Sequence, residues 1–104
     1  MRRQLPFLQS LLHQSRANKR NQLLQFANAD QINAISELLL NGLKDTNPFN
    51  APPTVIAKLR RHKEALLPLR RRGLSVIRRK RHLSKQKGGF WTAMRQLCEC
   101  CCCH

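Results

Sequence analysis

The sequence is poor in the residues that build most catalytic sites. It has no tyrosine, one tryptophan and only five acidic residues in 104 positions. The acids form no close pair along the chain, the four histidines are scattered, and no glycine-rich phosphate loop or nucleophile elbow occurs. We therefore predict that the protein is not an enzyme and that it needs no cofactor.

Long hydrophobic runs are also missing. The longest candidate is Leu38 to Leu40, far short of the roughly 18 apolar residues that span a bilayer. The apolar patch near the N-terminus is interrupted by polar residues from Gln9 to Gln14, which is untypical of a secretory signal. No cysteine occurs before Cys98, so no disulfide can cross-link the body of the chain to itself. We expect neither membrane insertion nor secretion.

Helical spacing dominates the apolar residues that are present. Residues 1 to 29 contain two apolar clusters, which predict two short helices or one bent helix, with Pro6 in a first turn. The clearest pattern starts at Asn28 or Asp30 as the N-cap and ends near Gly42. Its apolar stripe is expected to pack on Leu23, Phe26 and later helices. The sequence predicts an all-α protein, a small bundle of three to five short helices.

Residues 44 to 54 divide the chain, because this segment holds three of the five prolines. Residues 1–50 form a helical scaffold half, and residues 54–89 form a basic helical half within the same domain. In the basic half, Thr54 and Ser75 are predicted helix caps, and Gly88-Gly89 is expected to end the last helix. Residues 90–104 are expected to be a disordered, cysteine-rich tail.

The basic half carries most of the formal charge of +15. Between Lys58 and Gly89 there are 13 of the 20 basic residues and one acid, Glu64, which gives +12. Such a density of like charge is favourable beside a polyanion, where each neutralised phosphate releases a counterion. The expected phosphate-binding residues are Lys58, Arg60, Arg61, Lys63, Arg70, Arg71, Arg72, Arg78, Arg79, Lys80, Arg81, Lys85 and Lys87.

Base-reading motifs do not accompany these charges. No bipartite zinc finger, heptad zipper or aromatic RNA-recognition platform is present, so non-specific contact with the backbone is the favoured hypothesis. Two other classes stay open. One is a nuclear adaptor or regulatory interaction protein whose run from Arg70 to His82 is an import signal, and the other is a ribosomal-type protein that binds structured RNA. The sequence does not set the oligomeric state.

The C-terminal CECCCCH has the short spacing used in half of a zinc site. Weak candidate ligands are Cys98, Cys101, Cys103 and His104. The second half of such a site is missing, so no metal is predicted. Soft-metal scavenging, palmitoylation, intermolecular disulfides and a shifted reading frame remain alternative explanations.

A basic run that ends at HLSKQKGGFW, preceded by LLQFANADQINAISELLLNGL, resembles small basic proteins of adenovirus-like Polinton and adintovirus elements over roughly residues 16 to 90. It is also similar to the DNA-condensing virion core protein of adenoviruses. The resemblance implies duplex DNA, in preference to RNA, as the partner, and a location in the virion or the host nucleus. The function it implies is packaging of viral or transposon DNA.

The resemblance also implies a second partner, a viral cysteine protease. In the adenoviral family a glycine pair belongs to the maturation site, so Gly88 and Gly89 would be processed with cleavage after Gly89. Gln86 stands where that protease favours an apolar residue. Read from the residues alone, the glycine pair is equally well a helix terminator.

Overall fold

A computed structural model describes residues 2–44, 46, 49–62 and 74–102. After a 3-10 turn at Arg2–Gln4, its helices are α1 (Leu5–Leu12), α2 (Ala17–Phe26), α3 (Ala29–Gly42), α4 (Pro53–Arg60), α5 (Val76–Ser84) and α6 (Gly88–Cys102). These ranges contain no strand, which confirms the all-α prediction. Six α-helices in the described part exceed the three to five expected, because the C-terminal segment forms a helix of its own.

Local sequence determines where several helices begin. Asn28 Oδ1 accepts a hydrogen bond from the Gln31 amide at 2.8 Å, and Gln31 Oε1 accepts one from the Asn28 amide at 2.9 Å. This reciprocal capping box confirms Asn28 as the cap of α3. Ser75 Oγ accepts from the Arg78 amide at 3.2 Å and caps α5, as predicted. The prediction for Thr54 is wrong, because α4 already begins at Pro53.

The core lies where α6 meets the N-terminal helices. Helix α6 packs against α1, α3 and α4, whereas α5 packs against α2 and α3. Buried apolar side chains come from every one of the six helices and form one cluster. Its fully buried members are Leu8, Leu11, Leu24, Ile32, Ile35, Leu38, Leu39, Leu59, Leu83, Phe90, Ala93, Met94, Leu97 and Cys98.

The expectation of a disordered tail at residues 90–104 is not confirmed. Phe90, Trp91, Met94, Leu97 and Cys98 are all buried, and they lie on one side of α6. Their spacing of 1, 4, 7 and 8 from Phe90 is that of an amphipathic helix. The aromatic pair and the aliphatic side chains bury enough apolar surface to order the segment before the cysteine run begins.

The glycine pair begins a helix and does not end one. Helix α5 ends at Ser84, and Gly88 and Gly89 are the first two residues of α6. Trp91 Nε1 donates to the Gln86 carbonyl at 3.2 Å, which ties the start of α6 to the short connection from α5. The prediction that Gly88-Gly89 terminates the basic helix is therefore wrong, since burial of Phe90 and Trp91 outweighs the low helix propensity of glycine.

Helices α3 and α6 approach closely at Gly42. A β-carbon at this position would lie 2.5 Å from Leu97 Cδ2 and 3.3 Å from Leu59 Cδ1. Glycine thus lets three helices meet at the end of α3. In the described ranges no helix has both the length and the hydropathy to cross a membrane.

Candidate nucleic-acid interface

Helix α5 packs on the bundle through a row of apolar side chains and through hydrogen bonds from two basic side chains. Leu83 is fully buried, and Val76, seven residues earlier, is half-buried on the same side. Arg79 Nη1 donates to Asn33 Oδ1 on α3 at 2.6 Å, and Lys80 Nζ donates to the Gln25 carbonyl on α2 at 2.8 Å. Two of the four consecutive basic residues are thus turned toward the protein.

Arg78 and Arg81 lie on the opposite side of α5, and Lys85, the C-cap residue directly after the helix, continues the same face; we call these three residues the basic stripe. Their spacing of three and four residues places them on one helical face, and all three are exposed. None of them has an ion-pair partner within the ranges that the structure describes. Half-buried His82 lies next to this face. The stripe presents three cations to solvent from one rigid element.

The other predicted phosphate-binding residues are more dispersed. Lys58, Arg60 and Arg61 are exposed on or just after α4, where Lys58 Nζ lies 3.4 Å from Gln96 Oε1 of α6. Lys87 is exposed at the start of α6. Because α4 packs on α6 and α5 packs on α2 and α3, the two basic helices occupy different parts of the bundle. Lys63, Arg70, Arg71 and Arg72 lie outside the described residues.

Arg20 is a basic residue with a structural role that the sequence did not reveal. Its side chain is only 9% exposed, and its guanidinium carbon lies 5.3 Å from the centroid of the Trp91 indole. Arg20 Nη1 also donates to the Gln14 carbonyl at 3.1 Å. A cation over an aromatic face gains electrostatic energy when both are withdrawn from water. Arg20 therefore ties α2 to α6 and is not available to a ligand.

Among the residues that the structure describes, the ion pairs lie in another part of the protein. Glu99 Oε1 lies 3.8 Å from His13 Nε2 and 4.0 Å from Arg95 Nε, and all three side chains are about half exposed. The contact with His13 joins α6 to the end of α1, whereas Arg95 and Glu99 are four residues apart within α6. In the described residues no such contact neutralises the basic stripe on α5, which therefore keeps its positive charge for a solvent ion or a ligand.

The cysteines in the described part of the chain form no metal site. Cys98 is buried and Cys100 is half-buried, both in α6. The described residues contain no group of three histidine, cysteine or acidic side chains that could hold an ion. Cys101 lies in α6, but the structure describes only its backbone. Cys103 and His104 lie outside the described residues.

Among the described residues two large apolar side chains are exposed, one at the end of α2 and one on α5. Phe26 is 82% exposed and Ile77 is 66% exposed. The expectation that Phe26 packs with the stripe of α3 is therefore wrong. Leu24 and Arg20 occupy the inward positions of α2, which places Phe26 on its outer face. No strong amphipathic pattern marks this helix, so its residues alone do not indicate which apolar side chain is buried.

Comparisons with protein-family models, with curated proteins and with solved structures find no match to this chain. The assignment of a function accordingly depends on the charges and exposed groups described above.

Proposed function

We propose that this protein binds nucleic acid without sequence specificity, with duplex DNA as the preferred partner, and condenses it by neutralising phosphate charge. The biological role is that of a DNA-packaging core protein of a virus-like or transposon-derived element, located in the virion or the host nucleus. The observation that carries the proposal is the basic stripe: Arg78, Arg81 and Lys85 are exposed on one helical face and form no ion pair with a described acidic residue.

The position of the stripe suits contact with a phosphate backbone. Arg79 and Lys80 fasten α5 to α3 and α2, so the outward cations are presented by a helix that is already held in place. Side chains on a fixed helix lose less conformational entropy on binding than those of a free basic tail. Contacts with phosphate position a protein on a duplex without reading its sequence, which is the mode proposed here.

The charge of the whole chain supports condensation as well as binding. A formal charge of +15 on 104 residues neutralises about 15 phosphates per bound protein. Exposed cations on both α4 and α5 allow one protein to contact two DNA segments, because these helices occupy different parts of the bundle. Bridging of segments together with neutralisation of their charge is what compacts a long polyanion.

The test is a salt titration of binding to random-sequence duplex DNA and to structured RNA. The outward variant carries Arg78→Gln and Arg81→Gln. Its matched control carries Arg3→Gln and Lys44→Gln, which remove the same charge from exposed positions outside α4 and α5. We expect the outward variant to flatten the plot of log affinity against log salt by about two units, and the control to change it much less.

Condensation is measured on the same proteins by sedimentation of long DNA at low speed. We expect the native chain and the control to pellet the DNA near charge neutrality, and the outward variant to need more protein. Equal losses in both variants would contradict an interface on α5. Weak binding of duplex DNA by the native chain near physiological salt, or clear preference for structured RNA, would contradict the proposed function itself.

A further inference from the structure

An open groove lies on the side of α2 that faces away from α5. Its apolar wall is formed by Phe7, Leu23 and Phe26, and its polar rim includes Lys19, Gln22 and Gln31. The volume of the groove is about 460 Å³. Helices α1, α2 and α3 supply these residues, so the groove is built on three packed elements.

The Phe26 ring is the unusual member of this groove, because it is 82% exposed at the end of α2. The next residue, Ala27, is buried, and Asn28 opens the capping box of α3. The backbone that follows the ring is thus fixed by packing and capping, and the backbone before it belongs to α2. A rigid aromatic face held in water, beside a groove, is a surface on which another flat ring can stack.

Charged and amide groups surround the ring at helical spacing. Lys19 and Gln22 precede Phe26 by seven and four residues, so all three lie along one face of α2. A lysine ammonium binds phosphate, and glutamine amides both donate to and accept from the edges of nucleobases. Lys19 and Gln22 are both exposed, so a nucleotide can contact them through its phosphate and its base edge, whereas an acyl chain or an apolar helix offers them no polar group.

A second groove lies on the opposite side of α2, and it includes Arg81 of the basic stripe. Arg81 lines this groove with Asn21 and Gln25, and Lys80 Nζ donates to the Gln25 carbonyl. One helix with its side chains is about 10–12 Å wide, so only that distance separates the two grooves. A strand whose phosphates contact Arg81 can therefore cross α2 and reach Phe26.

We propose that Phe26 stacks an unpaired base of a single-stranded nucleic acid, with Lys19 contacting the adjacent phosphate. The inference goes beyond the proposed function, which concerns duplex phosphates, and it rests on that function for the contacts made by the basic stripe. Stacking tolerates any base, so the site adds affinity for single strands without adding sequence specificity.

The experiment compares three nucleic acids of about 20 nucleotides, a length that exceeds the site sizes typical of single-strand binding modules. They are oligothymidylate, an abasic strand with the same number of phosphates, and a duplex. The variants are Phe26→Leu, which keeps an apolar side chain without a ring, and Phe26→Tyr, which keeps the ring. Ile77→Ala is a comparison variant: it removes an exposed apolar side chain without a ring, from α5 in the second groove.

We expect Phe26→Leu to weaken binding of oligothymidylate by about five- to one-hundred-fold, the range found when stacking aromatics are removed. Binding of the abasic strand and the duplex should not change, and Phe26→Tyr should retain the native affinity. Ile77→Ala should weaken oligothymidylate binding less than Phe26→Leu does, because it removes no stacking ring. Because Phe26 is exposed, its replacement should leave the fold intact, which the circular dichroism spectrum checks.

An unchanged affinity of Phe26→Leu for oligothymidylate would overturn the stacking site. Equal losses for oligothymidylate and the abasic strand would overturn it too, because the ring would then not act through a base. A third outcome would also overturn it: Phe26→Leu loses binding to vesicles of anionic lipid that bind the native chain, while its binding to oligothymidylate is unaffected. The proposed function fails separately, if the native chain does not bind the duplex.

Discussion

Helices α5 and α6 follow one another in the chain but contribute differently to the fold: α5 mainly carries surface charge, and α6 mainly carries core side chains. Helix α5 has four consecutive basic residues and one fully buried side chain, Leu83. Helix α6 has a single basic residue, Arg95, in its described part and contributes six side chains to the core. The density of charge in the sequence therefore indicates which helix lies at the surface. The spacing of apolar residues indicates which helix belongs to the core, and the two patterns have to be analysed separately.

A second contrast lies within the basic residues themselves. Arg20, Arg79 and Lys80 hold helices together, whereas Arg78, Arg81 and Lys85 face solvent. Net charge does not distinguish these groups. The contrast predicts that substitutions of the first group lower stability and that substitutions of the second group lower affinity for nucleic acid.

The largest effect on stability is expected at Phe90 in α6. Phe90 is fully buried, and its ring lies 5.1 Å from that of Trp91 and 5.6 Å from that of His62. Phe90→Ala should lower the free energy of unfolding by about 3–5 kcal/mol, measured by urea denaturation. The control Thr92→Ala changes an exposed residue of the same helix and should cost less than about 1 kcal/mol. Similar stabilities for the two variants would show that α6 is not part of the core.

Arg20→Met should have the next largest effect, a loss of about 1–3 kcal/mol. The substitution keeps an unbranched side chain but removes the hydrogen bond to the Gln14 carbonyl and the cation beside Trp91. Since Trp91 is the only tryptophan, its fluorescence reports the change directly. Lys19→Met, one position earlier and exposed, should leave stability and emission unchanged. If Arg20→Met changed neither the stability nor the Trp91 fluorescence, the proposed difference between inward and outward cations would be wrong.

Ser75→Ala should lower stability by about 1 kcal/mol, because the Arg78 amide loses its capping oxygen. The loss should be concentrated in α5, so hydrogen exchange should accelerate at its amides more than at those of α6. Ser84→Ala removes a hydroxyl from the other end of α5 and is the matched control. Uniform acceleration in both helices would indicate that α5 does not unfold separately from the core.

The smallest effect is expected for Lys80→Gln, a loss of about 0.5–1 kcal/mol from the hydrogen bond to the Gln25 carbonyl. Arg81→Gln removes the same charge from the next residue and should change stability by less than about 0.5 kcal/mol. Thermal unfolding at fixed salt measures both. A larger loss for Arg81→Gln than for Lys80→Gln would reverse the assignment of the two faces of α5.

Much of the fold was predictable because the relevant contacts are local. The capping box of Asn28 and Gln31 and the cap at Ser75 join residues three positions apart, so the sequence alone indicates them. Val76 and Leu83, seven residues apart, also mark the inward side of α5, although the sequence prediction placed inward-facing Arg79 and Lys80 with the phosphate-binding cations. These features depend on helix geometry and not on distant parts of the chain.

Other features depend on contacts between distant parts of the chain, and the sequence did not predict them. Arg20 is buried because Trp91, 71 positions later, packs beside it. Phe26 is exposed because Leu24 and Arg20 take the inward positions of α2. The core role of α6 was obscured by the adjacent cysteine run, although the spacing of Phe90, Met94 and Leu97 indicates an amphipathic helix.

Arginine footprinting tests the central claim most directly, on the native chain and without substitutions. The protein is treated briefly with an arginine-specific dicarbonyl reagent, with and without duplex DNA, and the modified positions are found by mass spectrometry. The account predicts that Arg78 and Arg81 react in the free protein and are protected by DNA, that Arg3 reacts in both states, and that Arg20 reacts slowly in both. Unchanged reactivity of Arg78 and Arg81 on addition of DNA would contradict the proposed interface.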